Sequence, residues 1–363
     1  MKDSPAHQPS TDRLETGDRA PSFIGITAKG ALYASDTQAG RTVVMILARD
    51  LDTPGLIPLL AAFSGQAEAF AAVEADLVAL INVNVEQVFE FSLQHPGAVT
   101  LVGSPNDFMD RAGFDGEGLD VLVLDRNLRV AARLTALDAD IKVAAALDAA
   151  TRLPTETPRD IYTPAPVLIL PNLLERDLCQ ELVEMHLAGT SFDSPALRLG
   201  AQGQLKRDIN SNLKRRRDFL LKRDHPMHVR LTDIIRQRCF PEVKRCFQAT
   251  VSHTERFNIA CYPSDGGHFH RHRDNRPDIV AHRRFALSIN ITASGEGYEG
   301  GYLRLPEFNL HHYRATTGGG VIFSVNLLHE ITPVLRGNRY VLITHLFDDD
   351  GVAQHMAMEQ ILG

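Results

Sequence analysis

His272 and Asp274 make the only His-x-Asp in the chain, inside a segment (260–275) rich in histidine, aspartate and glycine. On an extended backbone, residues two apart point to the same side, so one imidazole and one carboxylate converge on a point. A second imidazole, His329, follows 57 positions later in Leu-Leu-His-Glu-Ile-Thr-Pro-Val. Arg339 stands ten positions beyond it, after an Arg336-Gly337-Asn338 turn and at the head of an apolar strand. Two imidazoles and one carboxylate on one face of an octahedral metal leave three positions open, the donor set suited to Fe(II) and O2 chemistry. A bidentate 2-oxo acid takes two of those positions and O2 the third. The far carboxylate of 2-oxoglutarate then calls for a cation deep in the fold, and the planar fork of arginine binds a carboxylate through two parallel hydrogen bonds. A lone His-x-Asp is common by chance. The order His-x-Asp, His, Arg within a strand-rich region gives this one its weight.

Other polar clusters have plainer readings. His268 and His270 share the alternation of His272 and are expected at a pocket mouth or in solvent. His311 and His312 read as loop residues. His345, on the last strand, reads as structural, with an approach to the cosubstrate as its alternative. Lys214-Arg215-Arg216-Arg217-Asp218 is the densest basic run, in a stretch that also holds Lys206, Arg207, Lys222 and Arg223. It reads first as a solvated face and second as a lid that contacts an anionic substrate.

The 363 residues carry a net charge of -7, from 38 Lys+Arg against 45 Asp+Glu. No global field attracts nucleic acid, and the basic run has no interleaved aromatics for base stacking. No apolar run reaches the roughly 18–20 residues of a membrane helix, and the N-terminus has no apolar core of a signal peptide. The four cysteines (Cys179, Cys239, Cys246, Cys261) form no CxxC pair, and a reducing cytoplasm is the expected compartment.

The elements that must position these residues fall into two domains. Residues 1–15 are polar and read as a disordered lead-in. From 16 to 153, apolar strand runs (42–48, 76–83, 98–102, 120–124, 128–134) alternate with helical stretches (54–73, 85–94, 136–152), an α/β layered sandwich. The turn Asp125-Arg126-Asn127 marks a hairpin. Residues 154–166 hold four prolines and read as a stiff linker. The second domain, 167–363, is α+β. It opens with a helix over 173–187 capped by Asn172, then a helix over 226–247 interrupted at Pro241. After Thr254 it becomes a series of short strands with glycine-rich turns, an antiparallel sandwich or barrel.

Residues 255–347 resemble the prolyl-4-hydroxylase type of Fe(II)/2-oxoglutarate dioxygenases, including the oxygen-sensing prolyl hydroxylases. The text that carries the likeness is Ala-Cys-Tyr-Pro (260–263), Arg-His-x-Asp-Asn (271–275), the Glu-Gly-Gly that opens 299–305, His-Glu-Ile-Thr-Pro (329–333) and Arg339-Tyr340. The resemblance implies a double-stranded β-helix (jelly-roll) core, with His272, Asp274 and His329 as iron ligands and Arg339 as anchor of the 2-oxoglutarate C5 carboxylate. It implies a hydrogen bond from Tyr262 to the cosubstrate, and it puts Ser288 where the oxygen-sensing enzymes have a second cosubstrate-contacting tyrosine. The implied cofactors are Fe(II), 2-oxoglutarate and O2. The implied activity is hydroxylation of a C–H bond in a small-molecule or peptide substrate, with release of succinate and CO2. Halogenating relatives lack the carboxylate that Asp274 supplies. The alternative is a sensor or interaction protein that binds iron and 2-oxoglutarate without efficient turnover; a second rival is a redox protein using Cys179 or Cys261.

Residues 16–153 resemble the peroxiredoxin branch of the thioredoxin fold, through Gly-Asp-Arg-Ala-Pro-Ser-Phe (17–23), the strand 42–48, Asp-Thr-Pro-Gly (52–55) and Asp-Arg-Asn-Leu-Arg-Val (125–130). In that family the peroxidatic cysteine follows Thr-Pro-Gly; here that position is Leu56, and Arg49 replaces an upstream proline. The resemblance therefore implies a non-catalytic module, one suited to homodimer formation or protein docking. No nucleic-acid or membrane partner is expected.

Overall fold

The computed structural model describes residues 13–103, 107–114, 116, 118–135, 138–154, 160, 162–199, 205–276, 280–292 and 297–356, with backbone alone at 196–199 and 205–208. Contacts divide the chain into two units, Met1–Pro158 and Arg159–Gly363. Residues 1–12 of the expected lead-in, and 155–159 and 161 of the expected linker, lie outside the described residues.

The first unit contains β1 (Ile24–Thr27), β2 (Leu32–Ala34), β3 (Thr42–Ala48), α1 (Leu56–Gly65), α2 (Ala67–Ala72), β4 (Ala75–Ile81), α3 (Val85–Gln94), β5 (Thr100–Gly103), α4 (Phe108–Arg111), β6 (Asp120–Leu124), β7 (Val130–Leu134) and α5 (Ala139–Thr151). Its seven strands lie in the order β2-β1-β5-β4-β3-β6-β7. β3 runs parallel to β4 and antiparallel to β6, which gives the thioredoxin fold. The apolar run of β3 is buried along its whole length because both sheet faces are covered. Val44, Ile46 and Ala48 enter one core, and Val43, Met45 and Leu47 the other. The expected hairpin is the β6–β7 pair. The β1–β2 hairpin is additional to the expected strands, and the expected single helix over 54–73 is broken at Gln66 into α1 and α2.

The second unit contains β8 (Val167–Leu170), α6 (Arg176–Ala188), β9 (Phe192–Asp193), β10 (Ala196–Leu199), β11 (Leu205–Asp208), β12 (Lys214–Arg215), β13 (Arg217–Leu220), α7 (Pro226–Arg238), α8 (Phe240–Phe247), β14 (His253–Thr254), β15 (Asn258–Tyr262), β16 (His268–His272), β17 (Phe285–Asn290), β18 (Glu299–Gly300), β19 (Leu303–Arg304), β20 (Gly320–Ser324), β21 (His329–Ile331), β22 (Val334–Arg336) and β23 (Arg339–Phe347). A large antiparallel sheet, β8-β20-β17-β23-β15-β13-β9, and a small one, β12-β16-β21-β19, form the jelly roll.

Alternation along the large sheet separates packing from chemistry. Ile259, Cys261, Leu287, Ile289, Tyr340, Leu342 and Leu346 share a core with Leu178 and Leu182 of α6 and Leu231 and Ile235 of α7. The residues between them, including Ala260, Tyr262, Ala286 and Val341, belong to a second cluster on the other face. α6 begins at Arg176 with Glu175 as N-cap, not after Asn172, which adopts a left-handed φ of 52°. The helix pair 226–247 breaks at Cys239, before the expected Pro241; Pro226 occupies the first turn of α7, where its missing N–H costs nothing.

Residues 16–153 expressed alone should fold and show no peroxide turnover with a thiol reductant. Leu56 opens α1 and is 1% exposed, and no cysteine precedes Cys179. Cooperative thermal unfolding by circular dichroism, together with a peroxide-consumption assay, checks both parts.

Candidate metal and cosubstrate site

His272 ends β16 and faces His329 across the β16–β21 pairing. Their rings lie 4.1 Å apart, centroid to centroid. Asp274 follows in the turn after β16. There its backbone N–H donates to the Val325 carbonyl, and Arg283 Nη1 donates to its carbonyl at 2.9 Å. His272 Nε2 is 3.4 Å from Asp274 Oδ1, and His329 Nε2 is 3.5 Å from Oδ2. One donor atom from each of the three residues falls within 4.8 Å of the others.

The far nitrogens settle which lone pairs are free. His272 Nδ1 bonds the His270 carbonyl at 2.7 Å, and His329 Nδ1 bonds the Leu327 carbonyl at 3.0 Å. A carbonyl only accepts, so each Nδ1 carries the proton and each Nε2 presents a lone pair to the common point. Burial pushes His329 down to about 4, against the pull of Asp274, so the ring is neutral at pH 7. Burial alone would raise Asp274, but His329, His272 and His345 hold it well below the usual carboxylate range. A carboxylate with two Nε2 atoms aimed at one point is a donor set for a divalent cation.

His345, read from the sequence as structural, sits against this carboxylate: its Nε2 lies 3.2 Å from Asp274 Oδ2 and its Nδ1 3.3 Å from Glu255 Oε2. Glu255 also accepts from Arg283 through both oxygens, at 2.7 and 2.9 Å, and contacts His282 Nε2 at 2.7 Å. Burial opposes the Glu255 charge, yet Arg283, His345 and His282 depress its pKa well below normal. Glu255, His282 and Arg283 were not singled out from the sequence. The clue available was an acidic residue at the start of a buried strand region with a His-Arg pair elsewhere, a signal too common to select.

Arg339 heads β23 opposite Tyr262. It is buried, and its Nη1 has no hydrogen-bond partner among the described residues. Its guanidinium lies 5.1 Å from the Tyr262 ring centroid. A Cβ at Gly301, whose φ is +61°, would stand 2.9 Å from Arg339 Cδ, so glycine there makes room for the arginine stem. A buried guanidinium nitrogen without a hydrogen-bond acceptor is a costly arrangement unless an anion completes it, and the C5 carboxylate of a 2-oxo diacid fits that need. Arg336 instead bonds Glu299 at 2.7 Å on the surface.

Tyr262, Ser288, Arg339 and the side chains of His272, Asp274 and His329 all line one cavity of about 580 Å³, within the usual range for small-molecule sites. His268 and His270 do not line it. His268 Nδ1 bonds the Gly266 carbonyl, and His270 is exposed. His312 stacks on Tyr302. The basic run is strand rather than loop: Lys214, Arg216 and Asp218 face the cavity, while Arg215 bonds Asp265 outside it. Of the thiols proposed for redox chemistry, Cys179 and Cys261 are buried, and burial pushes Cys179 up to about 12. Burial raises Cys261 as well, and both shifts disfavour the thiolate that a nucleophile needs.

Residues 257–347 match the family model of the 2OG-Fe(II) oxygenase superfamily. The second unit therefore carries a 2OG-Fe(II) oxygenase domain. Its cofactors are Fe(II) and 2-oxoglutarate, with O2 as the oxidant. No curated protein matches the chain in sequence. Among solved structures, the chain is similar to a Pseudomonas putida prolyl-4-hydroxylase (16% identity, 50% of this chain, 92% of that chain, TM-score 0.38). It is also similar to a Trichoplax adhaerens prolyl hydroxylase in complex with a hypoxia inducible factor peptide fragment (17%, 52%, 86%, 0.40). The first unit is similar to the peroxidoxin BcpB of Mycobacterium tuberculosis (18%, 39%, 100%, 0.36). Among the described residues, no helix is long and apolar enough to cross a membrane.

Glu255→Gln should destabilise the protein at pH 7 by about 3–5 kcal/mol, because it leaves Arg283 buried without its counter-charge. The folded-state pKa of Glu255 is depressed, so its contribution is present above the unfolded value and is lost as pH falls through the folded one. The gap in denaturant midpoint between parent and variant should therefore narrow progressively below about pH 4. A gap that stays constant from pH 7 to pH 3 would refute the charge assignment.

Proposed function

We propose that this dioxygenase domain hydroxylates a C–H bond of a small-molecule or peptide substrate, with His272, Asp274 and His329 as iron ligands and Arg339 as the 2-oxoglutarate anchor. The observation that carries the reading is the convergence of two Nε2 lone pairs and one carboxylate in a cavity that also holds Arg339, whose Nη1 has no hydrogen-bond partner among the described residues. The balance is 2-oxoglutarate, O2 and R–H giving succinate, CO2 and R–OH. Bound iron supplies the O2 activation and the oxidation of the C–H bond.

The remaining work falls to the side chains. Leu327 and His270 carbonyls hold the two imidazoles in the metal-binding tautomer. Arg283 clamps the Asp274 carbonyl, and His345 stands beside its carboxylate. Arg339 takes the C5 carboxylate, and its position over the Tyr262 ring sets the depth at which the diacid stops. Tyr262 presents its hydroxyl within 3.4 Å of Arg216 Nη1, at the edge of the same pocket. Ser288, on the central strand β17, is the smaller neighbour and leaves cavity volume where a tyrosine would fill it. With iron bound, Asp274 would supply the carboxylate ligand whose absence would leave room for a halide, which supports oxygen transfer to the substrate over halogenation.

His272→Ala, Asp274→Ala and His329→Ala should each lower Fe(II) affinity by more than about 100-fold, beyond the loss that supporting residues cause. Anaerobic titration reads this directly, and parent-like iron binding by Asp274→Ala would overturn the ligand assignment. Arg339→Ala should retain iron but lose about 2–5 kcal/mol of 2-oxoglutarate binding. Gly301→Ala should weaken the same binding by displacing the Arg339 stem. Unchanged 2-oxoglutarate affinity in both would remove Arg339 from its role. Succinate released with O2 and iron, and stimulated by a candidate substrate, separates a hydroxylase from a sensor.

A further inference from the structure

The cavity wall carries more positive charge than the metal and 2-oxoglutarate can use. Nine lysine and arginine side chains line it against three carboxylates. Each of those carboxylates is already committed. Asp218 accepts from Arg216 through both oxygens at 2.7 Å, Glu255 is held by Arg283, and Asp274 belongs to the histidines. Arg271 and Arg273 are paired with Glu330 and Glu307. Fe(II) and the 2-oxoglutarate dianion cancel each other, and Arg339 serves the diacid. The surplus that remains includes Lys214.

Lys214 has an unusual place. It lies on β12, which pairs with β16, the strand that ends at His272, and Lys214 stands opposite Phe269 in that pairing. Its ammonium sits 4.6 Å from the Phe269 ring centroid, and the same ring stacks on His272 at 3.4 Å. An ammonium has three donors. The hydrogen bond described for this one is to the Pro195 carbonyl at 3.3 Å; among the described residues no carboxylate lies within ion-pair distance of it, although Asp218 and Asp274 attract its charge from farther off. Among the described residues, two of its donors are left for a ligand inside the cavity, close to the His272 imidazole. Burial also pushes its pKa down to about 7, with Arg216 adding to the effect, so an arriving anion would restore a charge the wall alone disfavours. Arg216 does not compete for such an anion, because Asp218 and Ser194 surround its guanidinium.

We infer that the substrate carries an anionic oxygen group, a carboxylate or a phosphate, and that the Lys214 ammonium binds it so as to hold the oxidised carbon near the metal position. This rests on the dioxygenase reading above and names the substrate class for that same site. Lys214 is a substrate-binding residue and takes no part in holding iron or 2-oxoglutarate.

The test is calorimetric titration of the anaerobic Fe(II)–2-oxoglutarate protein with two probes, inorganic phosphate and N-acetylglycine. At least one should bind with one-to-one stoichiometry, and the tighter one names the source of the anion. Lys214→Gln should weaken that binding roughly tenfold or more, as loss of a charge-assisted contact does. Lys214→Arg should keep most of it, which excludes a folding defect as the cause. Arg215→Gln, on the outward side of the same strand, should bind like the parent, and 2-oxoglutarate affinity should stay within about twofold in every variant. Failure of both probes to bind, or equal binding by Lys214→Gln, overturns the inference. Failure of the protein to bind 2-oxoglutarate would instead count against the dioxygenase reading. In that event the same parent-against-Lys214→Gln comparison on iron-free protein still decides the anion site.

Discussion

The second unit is organised around one half-buried carboxylate whose charge its neighbours favour. Asp274 has His272, His329 and His345 around its oxygens, Arg283 on its backbone carbonyl and the Val325 carbonyl on its N–H. Burying an ion without partners costs several kcal/mol, so the surrounding elements must arrive together or the charge is not tolerated. They come from β16, β21, β23 and the segment before β17, which are joined through two sheets. The β16–β21 register that sets His272 opposite His329 is therefore also a statement about electrostatics: a slip by one residue would turn one imidazole to the opposite face and leave Asp274 short of a partner.

The same logic organises the cavity wall. Arg216 and Asp218 neutralise each other, as do Arg283 and Glu255, so these pairs are scaffolding in a low-dielectric space. Arg339 Nη1 and the Lys214 ammonium, which have no such partner among the described residues, have donors to offer a ligand. Period-two alternation makes the division possible. On β23, Tyr340, Leu342 and Leu346 pack toward the helices, while Arg339, Ile343 and His345 line the cavity. The first unit shows the opposite outcome. Its α1 opens on Leu56, an apolar side chain buried in the core. That position contributes packing.

Much of this was legible in the chain. The two-unit order, the buried β3, the β6–β7 hairpin and the strand character of the last hundred residues follow from apolar periodicity and turn residues, which are local signals. His272, Asp274, His329 and Arg339 were selected by type and order, and the fold brings all four to one cavity. Helix boundaries were less legible. Asn172 looks like a cap, yet its left-handed φ puts it in the preceding turn, and α6 starts at Arg176. The break before Pro241 falls at Cys239 because Pro241 occupies the first turn of α8, where proline is well tolerated.

What the sequence determined by itself is the inventory: a metal donor set, an arginine on the following strand, a thiol-free first unit, and sheets with one face for helices and another for polar side chains. What only the tertiary structure decided is pairing. The run Lys214 to Asp218 is one basic patch in sequence, but strand alternation sends Arg215 out to Asp265 and Lys214 and Arg216 inward. Glu255, Arg283 and His345 lie far apart in the chain and meet around one carboxylate because β15, β17 and β23 are neighbours in the sheet. Charge in a cavity is a property of what each group is paired with, and pairing between distant strands depends on sheet register, which no local pattern of residues specifies.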